Sequence, residues 1–183
     1  MAARIILLNG VGSAGKSSIA KALQVIAQAP LLHVQMDAFL EMLPAAYLDH
    51  PDGLSFTTQD AQGYPEVVIH SGPVLQRLMR GMRHAIAAMA AQGNDMIVDE
   101  VLFGSQMAEY ERLLAGFQLF RVGVFAPLEL LEARERSRGD RLIGLARWQY
   151  PRVHAGQTYD LEVDTSTATP AECARLIAAR FGF

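Results

Sequence analysis

Short apolar runs alternate along this chain with longer segments in which apolar residues recur every three or four positions. A short apolar run bounded by turn residues predicts a buried strand, and the longer period predicts an amphipathic helix. The predicted strands cover residues 4–9, 31–36, 96–98, 119–125 and 159–163. The predicted helices cover 15–28, 106–115, 128–141 and 142–150, with one more from Pro73 to near Gly93 and a last one from Pro170.

Five strands that alternate with helices predict an α/β fold in which a five-stranded parallel sheet is covered by helices on both faces. The 183 residues suffice for one such domain, and no linker or repeat divides them. Residues 40–72 lack a clear period and are punctuated by proline and glycine. Such a stretch in a compact domain is commonly functional or mobile. Its aromatic residues predict either an apolar wall for a substrate or a surface excursion that they merely anchor.

The turn after the first strand carries the strongest chemical signal. Gly10, Gly15, Lys16 and Ser17 fill the phosphate-loop (P-loop) pattern G-x-x-x-x-G-K-[ST] between a predicted strand and a predicted helix. Glycines let several N–H groups point at one anion, and the helix start adds its positive dipole end. We expect Lys16 to reach the β- and γ-phosphates of ATP, and Ser17 to bind Mg2+. The candidate nucleotide-binding loop comprises Gly10, Val11, Gly12, Ser13, Ala14, Gly15, Lys16, Ser17 and Ser18.

A dinucleotide-binding fold is the competing interpretation of the same turn. Residues 10–15 also match G-x-G-x-x-G, and Asp37 lies about where such a fold places its ribose-binding acid. Lys16 and Ser17 argue against this interpretation, because a dinucleotide helix has no use for a cation and a hydroxyl there. The chain is also short for a separate substrate domain.

Acidic residues end two of the predicted strands. Because ligands of open α/β sheets bind at the carboxyl ends of the strands, Asp37 is placed to take the proton of an attacking hydroxyl. Position alone leaves a helix N-cap as an equal alternative. Asp99 ends an apolar strand, as in the Walker-B arrangement that supports Mg2+. The neighbouring Glu100 is a second candidate for the metal.

Residues 128–150 predict an arginine-bearing lid. Arg134, Arg138 and Arg141 share one face of the predicted helix, and Arg134 has no acid three or four residues away. A like-charge pair is unfavourable unless an anion lies between its members, and triphosphate is such an anion. Arg134 and Arg138 are therefore candidate catalytic residues and Arg141 a candidate nucleotide ligand, with a solvated charged helix as the alternative. Arg83 and its basic neighbours on the helix from Pro73 are predicted to form a solvated face.

Composition narrows the partners. A net charge of −3 gives no basic excess for a nucleic acid polymer. No apolar run approaches the ~20 residues that span a membrane, and the first residues do not resemble a signal peptide. The single cysteine, Cys173, excludes an internal disulfide and fits a reducing compartment, with burial in the last helix its expected role. We therefore expect a cytoplasmic protein. Its oligomeric state stays open, and a homo-oligomer is one of the options.

Several segments match one known family in the same order along nearly the whole chain. They are residues 5–10 with 13–17, then 36–37, 97–99, 134–135 with 138–141, and 153–154 with 159–165.

These segments resemble the chloramphenicol phosphotransferase family. The resemblance implies an ATP- and Mg2+-dependent kinase that phosphorylates the primary hydroxyl of chloramphenicol and so confers resistance to the antibiotic. It also implies that Asp37 is the catalytic base rather than a cap. The match is poorest over residues 45–72, where a substrate would be chosen. A kinase of a nucleoside, a sugar or another antibiotic therefore stays open, as does an ATP-dependent switch protein.

Overall fold

A computed structural model of the chain describes residues 2–139 and 142–183. The strands are β1 (Arg4–Asn9), β2 (Leu32–Gln35), β3 (Leu54–Asp60), β4 (Pro65–Ser71), β5 (Met96–Glu100), β6 (Gln118–Phe125) and β7 (Leu161–Asp164). The helices are α1 (Lys16–Ile26), α2 (Met36–Leu40), α3 (Pro73–Ala91), α4 (Gln106–Leu113), α5 (Leu128–Arg138), α6 (Leu145–Val153) and α7 (Pro170–Phe181), with a 3-10 turn at Ala45–Tyr47.

Five strands form the predicted parallel sheet, in the order β2-β5-β1-β6-β7. Alternate residues of β1 enter two separate cores, because successive side chains of a strand point to opposite faces. Ile6 and Leu8 pack with α1 and α7 on one face, and Ile5 and Leu7 pack with α3 and α4 on the other. The prediction of a sheet covered on both faces is confirmed.

The register of the central strands gathers the predicted polar residues at one edge. Leu8 of β1 lies opposite Asp99, and Gln35 of β2 lies opposite Asp99 from the other side. The P-loop follows β1, and Asp37 follows β2 by two residues. Parallel pairing therefore brings the loop, Asp37 and Asp99 together at the carboxyl ends of the strands, where ligands of such sheets bind.

The region predicted to be irregular contains a regular hairpin. β3 and β4 pair antiparallel from Leu54↔Ser71 to Asp60↔Pro65, outside the main sheet. Both strands are short, and most of their residues are exposed or only half-buried. Their alternation of apolar and polar residues is therefore a weak signal, and the surrounding prolines and glycines indicate a loop more strongly.

The hairpin is held against α6 at one tight contact. The Val67 N–H donates to the carbonyl of Gly144 over 3.0 Å. Gly144 has a φ of 103°, and a Cβ there would lie 2.4 Å from the carbonyl oxygen of Pro65. Only glycine tolerates both the left-handed backbone and this close approach. The hairpin and α6 thus form one wall over the edge of the sheet.

The helices depart from prediction mainly at their ends. α5 ends at Arg138, with Gly139 left-handed, and α6 begins three residues later than expected, at Leu145.

The capping box at α7 is confirmed: Thr169 accepts from the Glu172 N–H, and Glu172 accepts from the Thr169 N–H. Cys173 is buried, as expected. None of the helices in the described ranges is long and apolar enough to cross a membrane.

Candidate active site

The P-loop joins β1 to α1 and wraps the start of the helix. Ser13 and Gly15 adopt left-handed backbone conformations, with φ of 64° and 93°, which turn the chain sharply into the helix. Gly10 is required by space, because a Cβ there would lie 2.5 Å from the Val124 carbonyl oxygen. The first turn of α1 carries no acidic residue, so its positive dipole end is not offset from within the helix.

Lys16 is anchored inside the loop that it serves. Its side chain is 7% exposed, and its Nζ donates to the carbonyls of Gly10 and Val11 over 3.0 and 3.2 Å. Asp99 Oδ1 lies 3.8 Å from the same ammonium. This anchoring holds one cation at the mouth of the loop, where a polyphosphate would need it.

Ser17 and Asp99, the two residues predicted to bind a metal, contact each other. Ser17 Oγ donates to Asp99 Oδ2 over 2.5 Å. Burial raises the pKa of Asp99, but contacts with His33 and Ser17 and the charge of Lys16 outweigh burial, so the pKa is lowered. A hydroxyl and an ionised carboxylate are hard oxygen donors that fit Mg2+, which takes one or two protein ligands besides phosphate and water. The described residues contain no cluster of three or more His, Cys, Asp or Glu arranged to hold a metal.

His33 lies beside Asp99, and sequence reasoning did not select it. Its buried Nε2 lies 3.6 Å from Asp99 Oδ2, longer than a hydrogen bond, and has no hydrogen-bond partner. Gln35 Nε2 contacts His33 Nδ1 at 3.2 Å. If Gln35 donates there, the imidazole proton is on Nε2 and faces the carboxylate. The available signal was a histidine in the strand that pairs beside the strand of Asp99.

A cavity of about 240 Å³ opens in front of the P-loop. One half is polar, and its lining includes Gly12, Gly15, Lys16 and Asp99. The other half is mainly apolar, and its lining includes Leu40, Leu54, Phe56, Ile69, Leu75, Met79 and Phe103. The arrangement can hold a polyphosphate at one end and a small partly apolar molecule at the other.

Asp37 does not cap a helix. The N-cap of α2 is Gln35, and Asp37 lies inside the first turn, on the wall of the cavity. The N-cap alternative is therefore wrong for this residue, and its carboxylate shares the cavity with Lys16 and Ser17.

The remaining loop residues divide into cavity-lining and buried positions. Ser13 and Ser18 line the cavity, whereas the side chains of Val11 and Ala14 are buried in the core. The Ala14 N–H donates to the Val11 carbonyl over 3.1 Å, so it is engaged within the loop. Gly10 lies behind the cavity lining, against Val124.

The predicted lid arginines separate in space. Arg138 lines the cavity. Arg134 instead donates from Nη1 and Nη2 to the hydroxyl and carbonyl of Thr165 over 2.9 and 2.8 Å, with the Ser13 carbonyl 3.5 Å from Nη1. Thr165 in turn donates to the Ala14 carbonyl. Arg134 thus braces the back of the P-loop, and the expectation that it faces Arg138 across an anion is corrected. Arg141 lies outside the described residues.

Two buried residues that the sequence did not single out connect the lid to the loop. The Glu135 carboxylate accepts from the N–H groups of Gly144 and Ala146, both over 2.8 Å, and so caps α6. Gln149 of α6 accepts from the Gly12 N–H over 2.7 Å. Gln149 and Gly12 are 137 residues apart, and Glu135 contacts residues beyond the end of its own helix, so the periodicity of a single helix could not have indicated either contact.

Arg83 is not on a solvated face, contrary to prediction. It is 5% exposed, lines the cavity and donates from Nε to Glu109 Oε2 over 2.7 Å. Glu100 also lines the cavity and accepts from the buried Tyr110 hydroxyl over 2.8 Å. Burial raises the pKa of Glu100 to about 7, despite the Tyr110 hydrogen bond and the charge of Arg83. Of the two acids, Asp99 is the one that contacts the P-loop, through Ser17, whereas Glu100 contacts Tyr110.

The sheet order, the P-loop and the acids at its edge define a P-loop kinase fold. Among solved structures, the APS kinase of Mycobacterium tuberculosis, solved with AMPPNP and APS, superposes with a TM-score of 0.69 at 15% identity, covering 99% of this chain and 98% of that one. The Deinococcus radiodurans tunicamycin resistance protein superposes with a TM-score of 0.62 at 19% identity, covering 99% and 96%. At these identities the likeness shows the fold alone.

Sequence comparison supplies the family. Residues 3–182 match the family described as chloramphenicol phosphotransferase-like protein, and the chain belongs to this family. Mycobacterium tuberculosis proteins from two strains, named as candidate O-phosphotransferases, are 36% identical over 173 residues, which span 91% of this chain and 76% of theirs. The predicted family, fold and phosphotransferase class are confirmed.

Proposed function

We propose that this chain transfers the γ-phosphoryl group of ATP to a hydroxyl of a small molecule. The observation that carries the proposal is a single cavity lined by the P-loop at one end and by Asp37 beside apolar side chains at the other. The family points to chloramphenicol or a similar antibiotic as the first acceptor to test, with resistance by inactivation as its consequence.

The nucleotide end would hold the phosphates by charge and main-chain donors. Lys16 and the loop amides bind the β- and γ-phosphates, and Arg138 adds positive charge from α5. Ser17 and Asp99 are the residues that would hold Mg2+, which neutralises charge on the phosphate oxygens when bound. Arg134 contributes indirectly, because its hydrogen bonds to Thr165 and Ser13 fix the loop from behind.

The acceptor end would supply the base. The Asp37 carboxylate accepts the proton of the acceptor hydroxyl as its oxygen forms a bond to the γ-phosphorus and the bond from that phosphorus to ADP breaks. The apolar side chains around it exclude water, which limits transfer of the phosphoryl group to solvent.

Mass spectrometry of chloramphenicol incubated with the protein, ATP and Mg2+ tests the proposal. The expected product carries one added phosphate, and a panel of nucleosides, sugars and other hydroxylated antibiotics extends the test to other acceptors. ATP turnover with no phosphorylated product from any compound would contradict the proposal and favour a nucleotide-dependent switch protein.

A further inference from the structure

One stripe of α3 forms a wall of the acceptor half of the cavity. Leu75, Met79 and Arg83 are four residues apart, so a helix stacks them on one face, and all three line the cavity. The first two members of the stripe are apolar, and the last, Arg83, carries a guanidinium. A buried cation in an otherwise apolar wall is costly unless it is paired, so it requires an explanation.

Arg83 is held in place through one edge only. Its Nε donates to Glu109 Oε2 of α4 over 2.7 Å. Within residues 2–139 and 142–183, neither Nη group makes a hydrogen bond. The ion pair with Glu109 therefore fixes the guanidinium and leaves its two terminal nitrogens available to a molecule in the cavity.

The neighbouring acids accept no hydrogen bond from those nitrogens, although Glu100 lies close enough for the charge of Arg83 to lower its pKa. Glu100 of β5 is directed to the Tyr110 hydroxyl, and Asp99 is engaged by Ser17 and lies close to Lys16. The fork of two Nη groups matches an oxyanion, since guanidinium binds carboxylate and related groups through two parallel hydrogen bonds.

We infer that the natural acceptor is an amphipathic alcohol that carries an oxyanion, of the carboxylate or sulfonate type, bound by the Nη groups of Arg83. The inference rests on the proposed function and narrows its acceptor class to anionic alcohols, so that the uncharged chloramphenicol would serve as a test acceptor rather than the natural one. The apolar body of the acceptor lies against the hairpin residues Leu54, Phe56 and Ile69, and its hydroxyl faces Asp37. Arg83 is then the residue that sets acceptor specificity.

A matched pair of probes tests this assignment. Para-hydroxymethylbenzoate and its primary amide share a primary alcohol and an aromatic body and differ in charge. Their phosphorylation with ATP and Mg2+ is compared in the wild type, Arg83→Met, Arg83→Lys and Arg80→Met, an exposed arginine of the same helix that serves as the control. Meta isomers, the sulfonates and longer hydroxy acids complete the panel.

The expected result is a change in preference. A charge-assisted hydrogen bond of the usual strength predicts that the wild type favours the acid over its amide in kcat/KM by about 10- to 100-fold. Arg83→Met should abolish that preference through a higher KM for the acid, with the KM for ATP unchanged. Arg83→Lys should keep part of the preference, and Arg80→Met all of it.

A second measurement separates this inference from the proposed function. Calorimetric binding of the same acids and amides, with a non-hydrolysable ATP analogue and Mg2+, requires no phosphoryl transfer. Acid binding that Arg83→Met abolishes supports the inference even where no compound is phosphorylated. Equal preference for acid and amide in the wild type, or a preference that survives in Arg83→Met, overturns it while leaving phosphotransfer intact. Arg83→Met leaves the Glu109 carboxylate without its ion-pair partner. Both measurements are therefore repeated on the double variant Arg83→Met/Glu109→Gln, which removes the whole ion pair.

Discussion

The two halves of the cavity are built in different ways. The centre of the nucleotide half is one continuous stretch of chain, the P-loop, in which Lys16 is anchored to carbonyls five and six residues away, and other elements add only single side chains such as Asp99 and Gln149. The acceptor half is assembled from α2, the β3–β4 hairpin, α3 and the segment after β5. A site made from one short segment resists change as a unit, whereas a wall made from several elements can be altered one residue at a time. The difference suits a common phosphate donor and a variable acceptor.

The largest effect is expected when the proposed base of the acceptor half, Asp37, is removed. Asp37→Asn should lower phosphoryl transfer by about a thousandfold, because a positioned general base typically contributes a factor of that order. Nucleotide affinity should stay close to that of the wild type, since Asp37 serves the acceptor. Steady-state kinetics and calorimetry with a non-hydrolysable analogue measure the two effects. The control is Glu41→Gln, at the exposed end of the same helix. Near-normal turnover in Asp37→Asn would show that Asp37 is not the base.

The next largest effect is expected in the nucleotide half itself. Lys16→Ala should reduce kcat/KM for ATP by about a hundred- to a thousandfold, the usual cost of losing one preorganised charge-stabilising donor. Lys21→Ala changes an exposed lysine of the same helix and should leave kcat/KM unchanged. An unaltered dependence of rate on ATP concentration in Lys16→Ala would place the phosphates elsewhere.

A smaller effect should come from the contact that joins α6 to the P-loop. Gln149→Ala removes the acceptor of the Gly12 N–H, and the KM for ATP should rise by about 5- to 10-fold, which corresponds to one ordinary hydrogen bond. Gln149→Glu keeps an acceptor but adds negative charge beside the phosphates, so its KM should rise further. Equal KM values for alanine, glutamate and wild type would show that Gln149 is only a packing residue.

The smallest effect is a pH dependence of stability at the floor of the acceptor half. The Glu100 carboxyl binds more protons in the folded than in the unfolded protein between its ordinary pKa of 4.5 and its folded value of about 7. Its contribution to stability is therefore full below that window and is lost as the pH rises through it. Glu100→Gln keeps an acceptor for Tyr110 and should gain on the wild type from pH 5 to pH 8 in denaturant unfolding without Mg2+ or nucleotide. Parallel stability curves would contradict this assignment.

The same contrast explains what the sequence could predict. The P-loop is recognisable because its chemistry is contained in eight consecutive positions, and Asp37 and Asp99 follow from the rule for strand ends in parallel sheets. Arg83, Gln149 and Glu135 act through partners in other elements, so helical periodicity assigned Arg83 to solvent although Glu109 anchors it in the cavity.

Arg134 and the hairpin show two further limits of prediction. The like-charge argument for Arg134 considered only its own helix, whereas Thr165, 31 residues away, accepts its hydrogen bonds. The hairpin was not predicted, because a half-exposed two-stranded ribbon needs little alternation of apolar and polar residues. The hairpin docks on α6 at Gly144, a contact that composition does not indicate.

The glycine at the start of α6 links the two halves of the cavity through one helix. Its carbonyl is tied to the hairpin that would receive the alcohol, and one and a half turns further along the same helix Gln149 grips the main chain beside the phosphates. We therefore expect occupancy of one subsite to alter affinity at the other, so that the donor and the alcohol bind with reciprocal synergy.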